Sequence, residues 1–160
     1  MSKKMDNAPV YFTVAQVRFN PVLNLEAYLR TIQDRMRKSL FPDFRREDYK
    51  QLIVPFGASD GGQMPSPSFV PLARYIFGNT SGTSGFILES SSLALQTSAY
   101  ETFEKFSETL MAGLGIVHEA LQLDFTDRIG LRYLDAVPVS YTHLRAHETK
   151  ANLVCRLLLE

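Results

Sequence analysis

The side chains best suited to chemistry lie close to the C-terminus of this 160-residue chain. His143 and His147 are four residues apart, so a helix would place both imidazoles on one face, and Cys155 follows them. Histidine nitrogen and cysteine sulfur are ligands that zinc prefers in proteins. By residue type and spacing alone, this segment would be a candidate metal site.

The same segment has a second property that argues against a metal site. Residues 139–160 resemble, in one reading frame, the translation of a transposase-type sequencing adapter. Segments of such origin are excluded from fold reasoning. We therefore interpret residues 138–160 as a non-native tail, and we expect no metal site at His143, His147 or Cys155 and no cofactor.

If the adapter continues the reading frame of the chain, the coding sequence is interrupted where the adapter begins. We expect residues 1–8 to be disordered and residues 9–137 to form one α+β domain, the N-terminal half of a longer protein. The missing C-terminal half is then the first expected partner. The start of the chain lacks the apolar segment of a signal peptide, and no stretch approaches the ~20 apolar residues of a membrane helix. A cytoplasmic protein without membrane contact is expected.

Two arginines form the most informative polar pair within residues 9–137. Arg128 and Arg132 share one face of a predicted strand with Gly130, which leaves space between the two guanidinium groups. Guanidinium groups bind phosphate and carboxylate through paired hydrogen bonds. The pair, with Asp60 in a glycine-rich loop, therefore predicts an anion-binding or small-ligand-binding module or half of an enzyme. Salt bridges to the missing half are the alternative interpretation.

Residues for covalent or acid–base catalysis are sparse. His118 is the one histidine outside the tail, and its neighbour Glu119 cannot face it on a helix. Ser90, Ser91 and Ser92 lack the glycine-flanked elbow of a serine hydrolase, so we interpret them as a turn. The sequence favours a non-enzymatic protein.

The charge balance bears on nucleic-acid binding. The chain has 17 basic and 17 acidic residues, whereas a nucleic-acid footprint usually raises the isoelectric point. The basic residues concentrate in one run, which consists of Arg35, Arg37, Lys38, Arg45, Arg46 and Lys50. Such a run is typical of a solvated helix end. Nucleic-acid binding through residues 35–50 is the third and least favoured function.

Apolar periodicity predicts the elements that position these side chains. The expected strands cover residues 10–19, 51–56, 73–77, 83–89, 93–97 and 127–135, with a flexible loop over residues 57–71. The expected helices cover residues 25–40, with Asn24 as the cap and Pro42 as the terminator, and residues 101–122.

These elements follow the order β-α-β-β-β-β-α-β. We predict an α+β fold, in which two amphipathic helices pack on one face of a mostly antiparallel sheet. In the last strand, Ile129, Leu131 and Tyr133 alternate with polar residues. This alternation predicts one buried and one polar face.

Three segments carry a family resemblance: Val-Ala-Gln-Val-Arg-Phe at residues 14–19, Tyr-Ile-Phe at 75–77 and Arg-Ile-Gly-Leu-Arg-Tyr at 128–133. With them, residues 8–137 resemble the sporadically distributed family of uncharacterised bacterial proteins. The resemblance implies a second α+β half and genes on mobile or defence elements, but no established site residues. The leading hypothesis is a non-enzymatic interaction module, whose strand edge and Arg128/Arg132 face contact the missing half or another protein.

Overall fold

The structure is a computed structural model that describes residues 10–53 and 67–136. The strands are β1 (Val10–Phe19), β2 (Asp43–Ile53), β3 (Ser68–Gly78), β4 (Ser84–Glu89), β5 (Ser92–Thr97) and β6 (Thr126–Asp135). A 3-10 helix (Leu25–Tyr28) leads into α1 (Leu29–Lys38), and α2 spans Phe103–Leu121. The expectations for residues 1–8, Asp60 and the tail at 138–160 lie outside the described residues.

The six strands form one antiparallel sheet in the order β2-β3-β4-β5-β1-β6. Strands β2 to β5 are consecutive neighbours, and short connections join β3 to β4 and β4 to β5. The chain then continues through α2 and returns as β6, which pairs with β1 on the side away from β5. The α+β class and the predicted order of elements are confirmed.

One face of this sheet and the two helices enclose the hydrophobic core. Alternate residues of β1 are buried, and the register places Val17 opposite Leu93 and Ala15 opposite Leu95 of β5. Among residues 10–53 and 67–136, the buried apolar residues are Ala15, Val17, Phe19, Leu25, Ile32, Met36, Tyr75, Phe77, Phe86, Leu88, Leu93, Leu95, Phe106, Leu110 and Val117. The opposite face of the sheet, here called the open face, has no helix over it among the described elements.

Helix α2 lies unusually close to β4. A Cβ atom added at Gly113 would meet the Phe86 ring at 2.3 Å, so a hydrogen at this position is what permits the contact. The helix starts where Thr102 Oγ1 accepts a hydrogen bond from the backbone N–H of Lys105, at 3.3 Å. This hydroxyl stabilises the first turn by satisfying one of its free donors.

The first helix differs from its prediction at both ends. The Asn24 side chain makes no capping hydrogen bond; its backbone carbonyl accepts the N–H of Ala27 at 3.3 Å, and the turn is a 3-10 helix. The α-helix proper begins at Leu29. It ends before Pro42 is reached, because Leu40 adopts a left-handed φ of 73° and turns the chain away.

Strands β2 and β3 are also longer than predicted. The expected strand at 51–56 in fact begins at Asp43, within the charged run, and β3 begins at Ser68, where a loop was expected. Residues 47–53 of β2 and 68–74 of β3 pair beyond the end of β4. Residues 43–46 lie opposite the part of β3 that pairs with β4, but they are exposed, so no apolar alternation marks β2. Pro71 is tolerated because its position pairs only with β2.

Candidate functional site

The candidate site is β6, the edge strand that carries the predicted arginine pair. Among residues 10–53 and 67–136, β6 pairs with β1 alone, so its outer edge has no partner strand. The N–H and C=O groups of such an edge are available to another chain. Side chains along β6 alternate between the open face and the helix side of the sheet.

On the open face, β6 and β1 together place three arginines around a hollow. Arg128 lies opposite Arg18, Gly130 opposite Gln16, and Arg132 opposite Val14 of β1. The hollow has a volume of about 480 Å³, and a Cβ atom at Gly130 would meet nothing within 4 Å. We call these three arginines and the space at Gly130 the arginine groove.

The structure thus brings Arg128, Arg132 and Gly130 onto one face, as the strand period predicts, and adds Arg18. Sequence reasoning missed Arg18 because its role depends on the pairing of β1 with β6, two strands more than 100 residues apart. The only local signal was its position on the polar side of the β1 alternation.

The arginine groove carries uncompensated positive charge. Within the described chain, none of its three arginines forms an ion pair with a carboxylate. Arg18 and Arg128 are directly opposite each other, an arrangement of like charges that destabilises a strand pair. An anionic group bound here would relieve that repulsion.

The polar side chains on the other half of the open face are hydrogen-bonded or ion-paired to one another. The Tyr49 hydroxyl donates to Glu89 Oε1 at 3.1 Å, and the Ser92 hydroxyl donates to Glu89 Oε2 at 3.0 Å. Gln16 Nε2 donates to Ser92 Oγ at 3.2 Å, and Arg74 pairs with Glu47 at 2.6 Å. This network reaches Gln16 and goes no further towards β6. The carboxylates of the open face are therefore already engaged on the β2–β5 side.

The helix side of β6 is apolar and exposed, contrary to the predicted buried face. Ile129, Leu131 and Tyr133 have exposed fractions of 68%, 44% and 40%. They lie on the same side of the sheet as buried Val17, Ala15 and Thr13 of β1, but the helices do not reach the edge strand. We call these three residues the β6 apolar face.

Its tyrosine contacts the helix-covered part of the protein through Tyr100. The Tyr133 and Tyr100 hydroxyls are 3.3 Å apart, and their rings meet edge to face at a centroid distance of 5.3 Å. Burial and then the hydrogen bond to Tyr133 raise the pKa of Tyr100 to about 12. Near the other end of the strand, exposed Phe125 and Met111 extend the apolar surface towards α2.

The remaining sequence candidates lie elsewhere and are not assembled into a catalytic set in the described chain. His118 is exposed in the last turn of α2, and Ser90 and Ser91 form the two-residue turn between β4 and β5. No group of histidine, cysteine and acidic side chains among the described residues is arranged to hold a metal ion. His143, His147 and Cys155 are outside those residues.

The basic run between residues 35 and 50 is divided between α1 and β2 and is largely paired. Arg35 pairs with Glu119, Arg37 and Lys38 with Asp34, Arg45 with Asp43, and Arg46 with Glu26 and Asp48. Hydrogen bonds from Lys38 and then Arg37 hold the pKa of Asp34 below its ordinary value. This pairing leaves little free charge for a phosphate backbone.

Comparisons with known proteins leave the site to be interpreted from its own chemistry. No family model, curated protein or solved structure matches the chain. The resemblance to the sporadically distributed bacterial family therefore stays a prediction. None of the helices in the described part of the chain is both long and apolar enough to cross a membrane.

Proposed function

We propose that this chain is a protein-interaction module that binds its partner through β6. The observation that carries the proposal is a ten-residue strand whose outer edge has no partner among the described residues. Its helix-side residues Ile129, Leu131 and Tyr133 are 40–68% exposed. Natural proteins usually protect sheet edges with charge, with short strands or with a covering element. Here the edge is long and its helix-side face is apolar.

The opposite edge of the sheet supports the choice of β6. Strand β2 is also a long edge strand, but six of its eleven residues are charged: Asp43, Arg45, Arg46, Glu47, Asp48 and Lys50. Five of these six take part in ion pairs. Charged edges of this kind resist pairing with other chains. The proposal therefore assigns binding to β6 and protection to the charged part of β2, residues 43–50.

A selection of displayed random peptides against the full chain tests the proposal. We expect peptides that bind the wild type and lose binding to Leu131→Glu, because a carboxylate on the β6 apolar face disfavours apolar contact. Leu23→Glu is the matched control, since Leu23 is 98% exposed in the loop after β1. Circular dichroism of both variants checks the fold. Peptides that bind the two variants equally, or a failure to select any peptide, would contradict the proposal.

The arginine groove favours a second candidate function, the binding of a small anion. Three guanidinium groups, which form no ion pair with any described carboxylate, surround an open hollow and suit a phosphate or a carboxylate. Phosphate, citrate and nucleotides should then raise the melting temperature of the wild type but not of the double variant Arg128→Gln/Arg132→Gln. Arg45→Gln, on the protected edge, is the control. A melting temperature that no anion shifts would exclude this candidate.

A further inference from the structure

We infer that the partner is an extended segment of another protein that adds to β6 as a seventh strand, with alternating acidic and apolar side chains. The acidic side chains would face the arginine groove, and the apolar ones would pack on the β6 apolar face. The inference rests on the proposed function and specifies the chemistry of its partner.

The alternation follows from the two faces of β6. Side chains of a paired strand point to the same sides of the sheet as the residues opposite them. Positions opposite Arg128 and Arg132 are four residues apart, and those opposite Ile129, Leu131 and Tyr133 alternate with them. The complementary segment therefore has two acidic residues at i and i+4, with apolar residues at i+1 and i+3.

Charge complementarity is what selects an acidic segment. The arginine groove holds three guanidinium groups, and within the described residues the nearest carboxylate network stops at Gln16. Side chains directly opposite each other on neighbouring strands have Cβ atoms about 5 Å apart, within reach of an arginine–carboxylate pair. A carboxylate opposite Arg128 would also offset the repulsion between that residue and Arg18.

A second copy of this chain fits the same edge poorly. Antiparallel pairing of two β6 strands centred on Gly130 places Arg128 of one copy opposite Arg132 of the other. Pairing centred on Leu131 places Asp127 opposite Asp135. The two registers with the greatest overlap thus oppose like charges, which destabilises strand pairing. The charge pattern of β6 disfavours self-association and leaves the edge to a different sequence.

The backbone supplies the remaining interaction. An added strand gains main-chain hydrogen bonds along an edge, while alternate side chains provide specificity. Strand β6 spans Thr126–Asp135, so a segment of about nine residues can pair along most of it. Its apolar side chains would cover surface on Ile129 and Leu131 that no described element covers.

A charge-swap experiment tests the side-chain pattern. The probe is a labelled, end-capped peptide of about nine residues, with glutamates at i and i+4 and valines at i+1 and i+3. Its affinity for the full chain is measured by fluorescence anisotropy. We expect Arg128→Glu/Arg132→Glu to weaken binding by about tenfold or more, since two attractive pairs become repulsive. Arg45→Glu/Arg46→Glu on β2 should leave the affinity within about twofold. A peptide with lysines in place of the glutamates should prefer the Arg128→Glu/Arg132→Glu variant.

Backbone methylation tests strand addition itself. Two further probes carry N-methyl groups on alternate residues, one set on the edge that faces β6 and the other on the opposite edge. If the peptide becomes a strand, one set abolishes binding and the other leaves it nearly unchanged, because only one edge donates to β6.

Each result distinguishes this inference from the function on which it rests. Equal binding of the two methylated probes, no binding of the glutamate peptide, or no response to charge reversal would overturn strand addition by an acidic segment. Peptides selected through Leu131 without acidic alternation would then still support an interaction module. A dimer of the wild type that Leu131→Glu dissociates would replace the proposed partner by a second copy.

Discussion

Val17 and Ile129 are directly opposite each other on neighbouring strands, but they differ in solvent exposure. Val17 in β1 is 1% exposed beneath the helices, whereas Ile129 in β6 is 68% exposed. Both sit on the helix side of the sheet, and both belong to alternating segments. The covered strands and β6 therefore share an apolar alternation, and they differ in whether the helices cover it. In the covered strands apolar side chains stabilise the fold, whereas in β6 they remain available for binding.

The largest expected difference in stability is between alanine substitutions at Ile32 and at Ile129. Ile32→Ala should lower the free energy of unfolding by about 2–5 kcal/mol, because Ile32 is fully buried between α1 and the sheet and its loss leaves a cavity. Ile129→Ala should cost less than about 1 kcal/mol, because most of that side chain is already in water. Urea unfolding followed by circular dichroism measures both. Equal losses would mean that β6 is covered in solution.

A second comparison uses two glycines of α2. Gly113→Ala should destabilise the protein by about 1–3 kcal/mol, because the added methyl group meets the Phe86 ring and forces α2 away from β4. Gly115→Ala meets no atom within 4 Å and should stabilise it by about 0.5–1 kcal/mol, through helix propensity alone. Thermal unfolding of the pair distinguishes contact from propensity. A gain from both substitutions would contradict the close packing of α2 on β4.

The elements within the covered region were the most predictable from sequence. Strand β1 was predicted with the bounds Val10–Phe19 that the structure has, because four alternate residues, Thr13, Ala15, Val17 and Phe19, are buried. Helix α2 was predicted within two residues at each end, since its apolar stripe faces that core. The start at Thr102 could have been recognised as a capping hydroxyl.

The exposed elements were predicted less well, for a physical reason. Every residue of β2 except Glu47 is exposed, so the segment 43–50 looked like a charged surface run. The arginine groove was half predicted: the spacing of Arg128 and Arg132 follows from the strand period, but the partner strand carrying Arg18 is set by tertiary packing. For β6, the apolar alternation predicted burial, and the position of the strand beyond the helices left it exposed.

The contact between Tyr100 and Tyr133 joins β6 to the helix-covered part of the protein, and a pH titration tests it. Burial and the hydrogen bond to Tyr133 raise the pKa of Tyr100 to about 12, above its ordinary value of 10.0. The folded state therefore holds the phenolic proton more tightly than the unfolded state. The resulting stability is present below about pH 10 and is lost as the pH rises towards about 12.

Tyr100→Phe should remove this part of the alkaline loss and the contribution of one phenolate to the absorbance near pH 12. Tyr28→Phe is the control, because Tyr28 lies in the 3-10 helix, away from this pair. Tyr133→Phe should lower the pKa of Tyr100 without abolishing its shift, since burial is the larger cause. If Tyr100→Phe instead removes absorbance near pH 10 and leaves that near pH 12 unchanged, the two tyrosines do not hold β6 against the covered region.

The smallest expected change in stability is at Gly130, and it separates folding from binding most cleanly. A Cβ atom there meets nothing within 4 Å, and threonine favours an extended strand, so Gly130→Thr should raise the free energy of unfolding by up to about 1 kcal/mol. The same side chain projects into the arginine groove between Arg128 and Arg132, where it should reduce any anion-induced rise in melting temperature. Gly115→Ala supplies the control, because it stabilises the protein without approaching the groove. A more stable Gly130→Thr protein with a weakened anion response would mean that the open space at this position serves binding, whereas a loss of stability would mean that the fold itself requires the glycine.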